Sequence, residues 1–259
     1  MKRIAMVSKP EAAQLAGEVR VRLEQVGLEV EASLENCDAL IAIGGDGTIL
    51  NAARLALPHN KPVLGINAGR LGFLAGLERR ELELLPRLAV DDYELEHRML
   101  LRAQVHQGKQ LIAEELCLND AVVARHGVSH TVEVQVDCGQ GQVIAYRGDG
   151  VIFATPTGST AYNFAAGGPV VEAKIESILL TPVCNHRLFT RTIVFSETTK
   201  FSVDITGHGL ALNIDAQPPL ALMSGQRVTI CRADCKAAFI RIKPGGFLNI
   251  LNEKMGGRI

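Results

Sequence analysis

The chain has no charge excess of either sign. Its 259 residues carry 27 Lys and Arg against 28 Asp and Glu. That balance leaves no basic field for a nucleic acid, and no lysine-rich run or basic helix supplies one locally. Long apolar runs are also missing. None approaches the roughly 18 residues of a membrane-spanning helix, so no membrane partner is expected. The apolar part of Met1-Lys2-Arg3-Ile4-Ala5-Met6-Val7-Ser8 is too short for a signal peptide and reads as a first strand. Matched cysteine pairs are absent. Of six cysteines, at 37, 117, 138, 184, 231 and 235, only Cys231 and Cys235 are close together. This spacing excludes a zinc framework. Several cysteines sit in apolar, strand-like contexts, as buried free thiols do. The chain therefore reads as a reduced, cytoplasmic protein. Its seven histidines show no metal-ligand spacing, and there is no internal repeat or low-complexity tract.

What is present is ample for a core. A chain of this length, 47% hydrophobic, makes one large domain or two ordinary ones. The first third alternates strand-like and helix-like stretches. Strands are expected at Ile4–Val7, Leu40–Ile43 and Pro62–Ile66, and helices at Glu11–Val26, Thr48–Leu57 and Arg80–Leu88. This rhythm predicts an α/β domain, a largely parallel sheet with flanking helices, over 1–92. After Asp91-Asp92 short alternating runs follow: Leu100–Val105, Thr131–Val136, Val143–Tyr146, Val151–Ala154, Phe201–Ile205, Leu210–Ile214, Arg227–Ile230 and Phe239–Ile242. They predict an all-β domain of antiparallel strands over 93–240. The tail, 241–259, is expected to return as a helix onto the first domain.

Residues 40–50 read Leu-Ile-Ala-Ile-Gly-Gly-Asp-Gly-Thr-Ile-Leu. A buried strand ends in a glycine turn and feeds a helix. The glycines let backbone approach a ligand, and the N–H groups at the helix start favour an anion such as phosphate. Asp46 in that turn would repel phosphate unless it accepts a proton from a hydroxyl or helps hold a metal. Phosphoryl transfer to an alcohol, with Asp46 as the base, satisfies the first condition. A tight turn with an exposed Asp is the plain alternative. No Lys-Ser or Lys-Thr follows as in a Walker loop, and the Rossmann glycine spacing is absent. Asn67-Ala68-Gly69-Arg70-Leu71-Gly72-Phe73 follows the next strand, so both loops fall on one sheet edge, where ligands of α/β sheets bind.

A second constellation runs from Tyr146-Arg147-Gly148-Asp149-Gly150 through Thr155-Pro156-Thr157-Gly158-Ser159-Thr160-Ala161-Tyr162-Asn163 to Gly167-Gly168-Pro169. Its small hydroxyl residues offer neutral donors and acceptors with little bulk, which suits a nucleoside. The alternative is a polar turn whose hydroxyls cap a helix.

Taken with Asn119-Asp120, these blocks resemble the bacterial NAD kinases over almost the whole chain. The Asp46 motif is shared with lipid kinases and phosphofructokinases; the stretch from Thr155 to Tyr162 with Gly167-Gly168-Pro169 is more specific. The resemblance implies an α/β domain and a β-sandwich domain. It also implies transfer of the terminal phosphate of ATP, or of polyphosphate, to the 2′-hydroxyl of the adenosine ribose of NAD, giving NADP. It implies Asp46 as proton acceptor with Gly47 beside it, and Asn119 and Asp120 on the adenosine portion. His130, Arg147 and Asp149 correspond to further dinucleotide contacts. Thr160, Ala161, Tyr162, Asn163, Phe164 and Ala165 correspond to the loop that wraps the nucleotide, and Gln217 to a glutamine following Asp215. It further implies a homodimer or homotetramer in which the residue matching Asp149 completes a neighbour's site at the nicotinamide end. A divalent cation such as Mg²⁺ is expected to arrive with ATP, with no dedicated metal cage. The chain departs from the family after Thr181-Pro182, where Val183-Cys184-Asn185-His186 stands in place of the usual Pro-His-Ser or Pro-His-Thr. Few residues separate its first helix from the strand at Leu40. A lipid or other small-alcohol kinase sharing the acidic turn, and a dinucleotide sensor without turnover, are the other readings.

Overall fold

The structure is a computed structural model and describes all residues except 70–71, 128–130, 140, 187–189, 244–246 and 255–259. The chain divides into two compact units, Met1–His97 with Ala237–Ile259, and Arg98–Lys236.

The first unit is α/β. Strands β1 (Arg3–Ser8), β2 (Glu29–Glu31), β3 (Ala39–Gly44) and β4 (Val63–Asn67) lie in the order β4-β3-β1-β2, all parallel. The short β5 (Leu77–Glu78) pairs with β4. All six residues of β3 are buried, as a central parallel strand requires. Helix α1 (Ala13–Gln25) buries Leu15, Val19 and Leu23, a single stripe at helical spacing. Those side chains join Leu82, Leu85 and Leu88 and the strand residues Ile41, Ile43, Leu64 and Ile66 in one core. Successive residues of a strand point to opposite faces, so Gly65 faces away from that core. There it meets helix α2 (Asp46–Ala56): a Cβ on Gly65 would lie 2.6 Å from Cδ1 of Ile49.

One expected helix of the first unit differs in kind for local reasons. The expected helix Arg80–Leu88 is a 3₁₀ segment, Arg79–Leu88, kinked at Glu81 and carrying Pro86 inside it. The Glu78/Glu81 capping box starts it, and Pro86 removes a ladder hydrogen bond that an α-helix would need. At the other end of the chain, a helix covers Phe247–Lys254.

The second unit is a β-sandwich built from β6 (Glu94–Gln107), whose first residues belong to the first unit, β7 (Gln110–Cys117), β8 (Asp120–Arg125), β9 (Val132–Asp137), β10 (Val143–Gly148), β11 (Gly150–Ala154), β12 (Ser177–Val183), β13 (Ile193–Ser196), β14 (Phe201–Asp204), β15 (Leu210–Ile214), β16 (Leu220–Leu222) and β17 (Gln226–Arg241), whose last residues belong to the first unit. One sheet runs β10-β9-β14-β17, with β6 paired to β17 and β7 to β6. The other runs β13-β12-β11-β8-β15-β16, every pair antiparallel. Val134, Tyr146, Phe201 and Val228 of one sheet and Phe153, Leu180 and Leu212 of the other share one core. Phe201 packs on Phe153 at 5.3 Å and edge-on to Phe195 at 5.1 Å. The expected strands at 227–230 and 239–242 fall, but for Ile242, in one 16-residue strand, β17; its buried positions change phase between Ile230 and Ala233, which hides the continuity in sequence.

Candidate active site

Strand β3 delivers its last residue, Gly44, into the turn. Gly45 is the N-cap of α2, extended at φ −87° and ψ −178°, and Asp46 is the first helical residue. Among the described residues no side chain caps this end; Thr48 N–H donates to Gly45 O at 2.9 Å, and the N–H groups of Asp46 and Gly47 stay available to a ligand. The Asp46 carboxylate does not swing free. Phe73 N–H donates to Oδ2 and Leu74 N–H to Oδ1, each at 3.1 Å. The loop after β4 comes this close because residue 72 has no side chain: a Cβ there would lie 2.0 Å from Asp46 Oδ1. Asn67, buried at the end of β4, shapes the loop by donating to Gly69 O at 2.9 Å and accepting from Gly69 N–H at 3.3 Å. The two loops expected on one sheet edge therefore touch through Asp46. Arg70 and Leu71 lie outside the described residues. Lys254 Nζ donates to Asp46 Oδ2 at 3.1 Å, across 208 positions of sequence, and no local pattern signals it.

In the second unit the organiser is Asp215. Held at φ +46°, it accepts N–H bonds from Leu118 at 2.7 Å, Asn119 at 2.8 Å and Asp120 at 3.1 Å. In the sequence Asp215 stands out only as a neighbour of Gln217; its part in holding the Leu118–Asp120 segment is visible only in the fold. Gln217 follows in the same turn, its N–H donating to Ile214 O at 2.7 Å. The hydroxyl loop is tied to the same place. Thr155 N–H donates to Asn119 O at 2.9 Å, and its Oγ1 donates to Leu118 O at 2.5 Å. Asn119, Asp120, Gln217 and the start of the 155–165 loop are thus brought together.

Asp120 is 6% exposed, and burial, then the charge of Asp215, pushes its carboxyl up to about 7. A protonated carboxyl donates through its O–H and still accepts. The folded value exceeds the ordinary 3.8, so the stability linked to its proton is complete below about 4 and is lost as pH rises through about 7. Asp120→Asn removes this term. It should raise stability at pH 8 relative to pH 4.5 by on the order of 2–4 kcal/mol. Thermal melts of both proteins at the two pH values check this, and equal differences would rule it out.

The remaining loop residues divide by burial. Asn163 is fully buried: its amide donates to Ser159 O and Pro169 O, and its Oδ1 accepts from Thr181 at 2.6 Å. It holds the loop in shape from inside. Tyr162 and Phe164 are exposed at 46% and 43%, and Ala165 is exposed. Thr160 and Ala161 are half-buried. Burial and then nearby negative charge, including Asp149 and Asp120, push the Tyr162 phenol up. Asp149 faces a fork from its own chain: Arg125 Nε donates to Oδ1 at 2.8 Å and Nη2 to Oδ2 at 3.2 Å. Arg125 was not expected. Arg147 is exposed, and its backbone N–H donates to Asn185 Oδ1 at 3.0 Å. His130 lies outside the described residues.

The first unit presents an acidic turn at the mouth of a helix, and the second, taken by itself, a buried polar cradle beneath a hydroxyl loop. A family model described as ATP-NAD kinase N-terminal domain matches residues 6–93, and one described as ATP-NAD kinase C-terminal domain matches 118–242. The chain belongs to the NAD kinase family. It is 38% identical to the NAD kinase of Desulforamulus reducens over 256 residues, covering 98% of this chain and 87% of that one. With the NAD kinase of Symbiobacterium thermophilum it shares 39% over 223 residues, covering 85% and 79%. Among solved structures, an NAD kinase from Archaeoglobus fulgidus in complex with ATP superposes with a TM-score of 0.77 at 30% identity, covering 92% of each chain. Yeast NADH kinase complexed with NADH reaches 0.88 over 99% of this chain and 88% of that one; at 22% identity it speaks for the fold alone. These relatives do not favour the lipid-kinase or sensor readings.

Proposed function

We propose that the chain transfers the terminal phosphate of ATP to the 2′-hydroxyl of the adenosine ribose of NAD, giving NADP, with Asp46 as the proton acceptor. The observation that carries this reading is the Asp46 carboxylate, fixed by two backbone N–H groups at the open N-terminus of α2. The hydroxyl oxygen attacks the terminal phosphorus and a new O–P bond forms. The bond to the bridging oxygen breaks, ADP leaves with its electron pair, and the hydroxyl proton passes to Asp46. Gly47 keeps the approach free of bulk.

Asn119 and Asp120 grip the adenosine, and the 160–165 loop wraps the nucleotide, with Asn163 holding it from within. Arg147, Asp149, Gln217 and, from the resemblance, His130 complete the dinucleotide contacts. In this division 1–92 carries phosphate chemistry, 93–240 carries NAD, and 241–259 serves the first domain. Among the described residues no cluster of three or more His, Cys, Asp or Glu could hold a metal. A divalent cation such as Mg²⁺ would come with ATP, held by phosphates and water. Polyphosphate is a second candidate donor. Unpaired thiols, including the exposed Cys184 and Cys235, suit a cytoplasmic enzyme. A homodimer or homotetramer is the proposed active unit, and light scattering on the active fraction reads its size.

Formation of NADP from NAD with Mg²⁺ and either ATP or polyphosphate tests the assignment, and no product with either donor would overturn it. In the same protein, Asn119→Ala and Asp120→Ala should each weaken NAD binding by roughly 1–3 kcal/mol, because each removes polar contacts from a buried base. Calorimetry showing unchanged affinity in both would contradict their role.

A further inference from the structure

One contact is not needed by the fold and stands where the chemistry happens. Lys254 Nζ lies 3.1 Å from Asp46 Oδ2, in an ion pair whose side chains are 31% and 34% exposed. Pairs this exposed contribute about 0–1 kcal/mol to stability. Yet the pair places a third donor on a carboxylate that already accepts from Phe73 and Leu74 N–H. Lys254 thus takes an acceptor position on Oδ2 that a hydroxyl would need.

The position of Lys254 is built, not incidental. It ends the helix Phe247–Lys254, where the negative end of the helix dipole favours a cation. Leu251 of that helix is buried and anchors it. The ammonium also sits over the Phe73 ring, 4.6 Å from its centroid, and Phe73 is the residue whose N–H fixes Asp46. Among the described residues, a Cβ at Gly45 or Gly47 would meet no atom within 4 Å, so the space in front of α2 holds none of them. The open space therefore has a helix N-terminus on one side and, at Asp46, a cation on a flexible four-carbon stem.

We propose that Lys254 is the cation that engages the phosphoryl group being transferred. Without donor it rests on Asp46 and Phe73. With donor bound it turns to the oxygens of the terminal phosphate, which frees Asp46 Oδ2 for the 2′-hydroxyl. During transfer its ammonium donates to the phosphoryl oxygens as charge builds there. The proton released by the hydroxyl still goes to Asp46. This inference rests on the kinase reading and adds a phosphate-contacting residue to it.

The test uses the full chain with Lys254→Met and Lys254→Arg, with ATP and ADP binding measured by calorimetry in Mg²⁺ and turnover measured on NAD. A residue that touches the terminal phosphate distinguishes ATP from ADP. Lys254→Met should weaken ATP by about 10-fold or more and leave ADP and NAD within about 2-fold. Its kcat should fall by about 10–100-fold, and Lys254→Arg should restore most of the loss. Equal losses for ATP and ADP would overturn the proposal in favour of a structural role, and so would unchanged ATP binding and turnover. If the unaltered chain made no NADP, the kinase reading would fall, while the ratio of ATP to ADP affinity would still decide for or against Lys254.

Discussion

Asp46→Asn should lose at least about 10²-fold in kcat while keeping the fold and most of its NAD affinity. The argument is local. The carboxylate accepts Phe73 N–H on one oxygen and Leu74 N–H on the other. An amide can satisfy one of those donors with its oxygen, but its nitrogen then faces the other, N–H against N–H. One hydrogen bond is lost, which costs about 1 kcal/mol of stability and does not unfold a domain whose central strand is wholly buried. What disappears entirely is the ability to take up a proton. Turnover and calorimetry on the same preparation separate the two effects. A mutant within a few-fold of wild type would remove Asp46 from the catalytic role.

The turn around Asp46 was legible in sequence because its parts are contiguous. Apolar strand, glycines, carboxylate and amphipathic helix follow one another over residues 39–56, and the structure places them as β3 and α2. Leu210–Ile214 was legible for the same reason, as a short apolar run between turns. Other strands were not. β7, Gln-Leu-Ile-Ala-Glu-Glu-Leu-Cys, exposes Leu111 and Ile112 side by side and has no period-2 pattern to read. β12 is buried at all seven positions because Leu179 packs in a second cluster on the outer face of its sheet. A strand covered on both faces gives a continuous apolar run without alternation. In the site, Arg125, Asp215 and Lys254 act on Asp149, the Asn119 turn and Asp46 across 24, 96 and 208 positions. Charges of this type are common on any surface, and only the fold shows which of them converge. Gly72 lay within a quoted motif, but its reason, the carboxylate pressed against its α-carbon, is a tertiary contact.

Gly158→Ala should damage the second unit severely. Gly158 opens the 3₁₀ turn Gly158–Thr160, and its backbone has no left-handed twist that demands glycine. The constraint is space. A Cβ would lie 2.1 Å from Asn119 O, 2.5 Å from its carbonyl carbon and 2.7 Å from its Cα. All three are backbone atoms, so no side chain can swing aside. The segment that must move is the one Asp215 holds through the N–H groups of Leu118, Asn119 and Asp120. It is also the one that accepts from Thr155 through Asn119 O and Leu118 O. Forcing a methyl into such a site costs about 1–3 kcal/mol, and here the displaced residues are those assigned to NAD. The expected result is a melting temperature lower by several degrees together with NAD binding weakened by about 10-fold or more. Gly207→Ala is the control: a Cβ there meets no atom within 4 Å and the backbone is not left-handed, so neither quantity should change. Equal melting curves and equal NAD affinities for the two mutants would show that the hydroxyl loop does not depend on its contact with Asn119. A loss of stability without a loss of affinity would separate that contact from the nucleotide site.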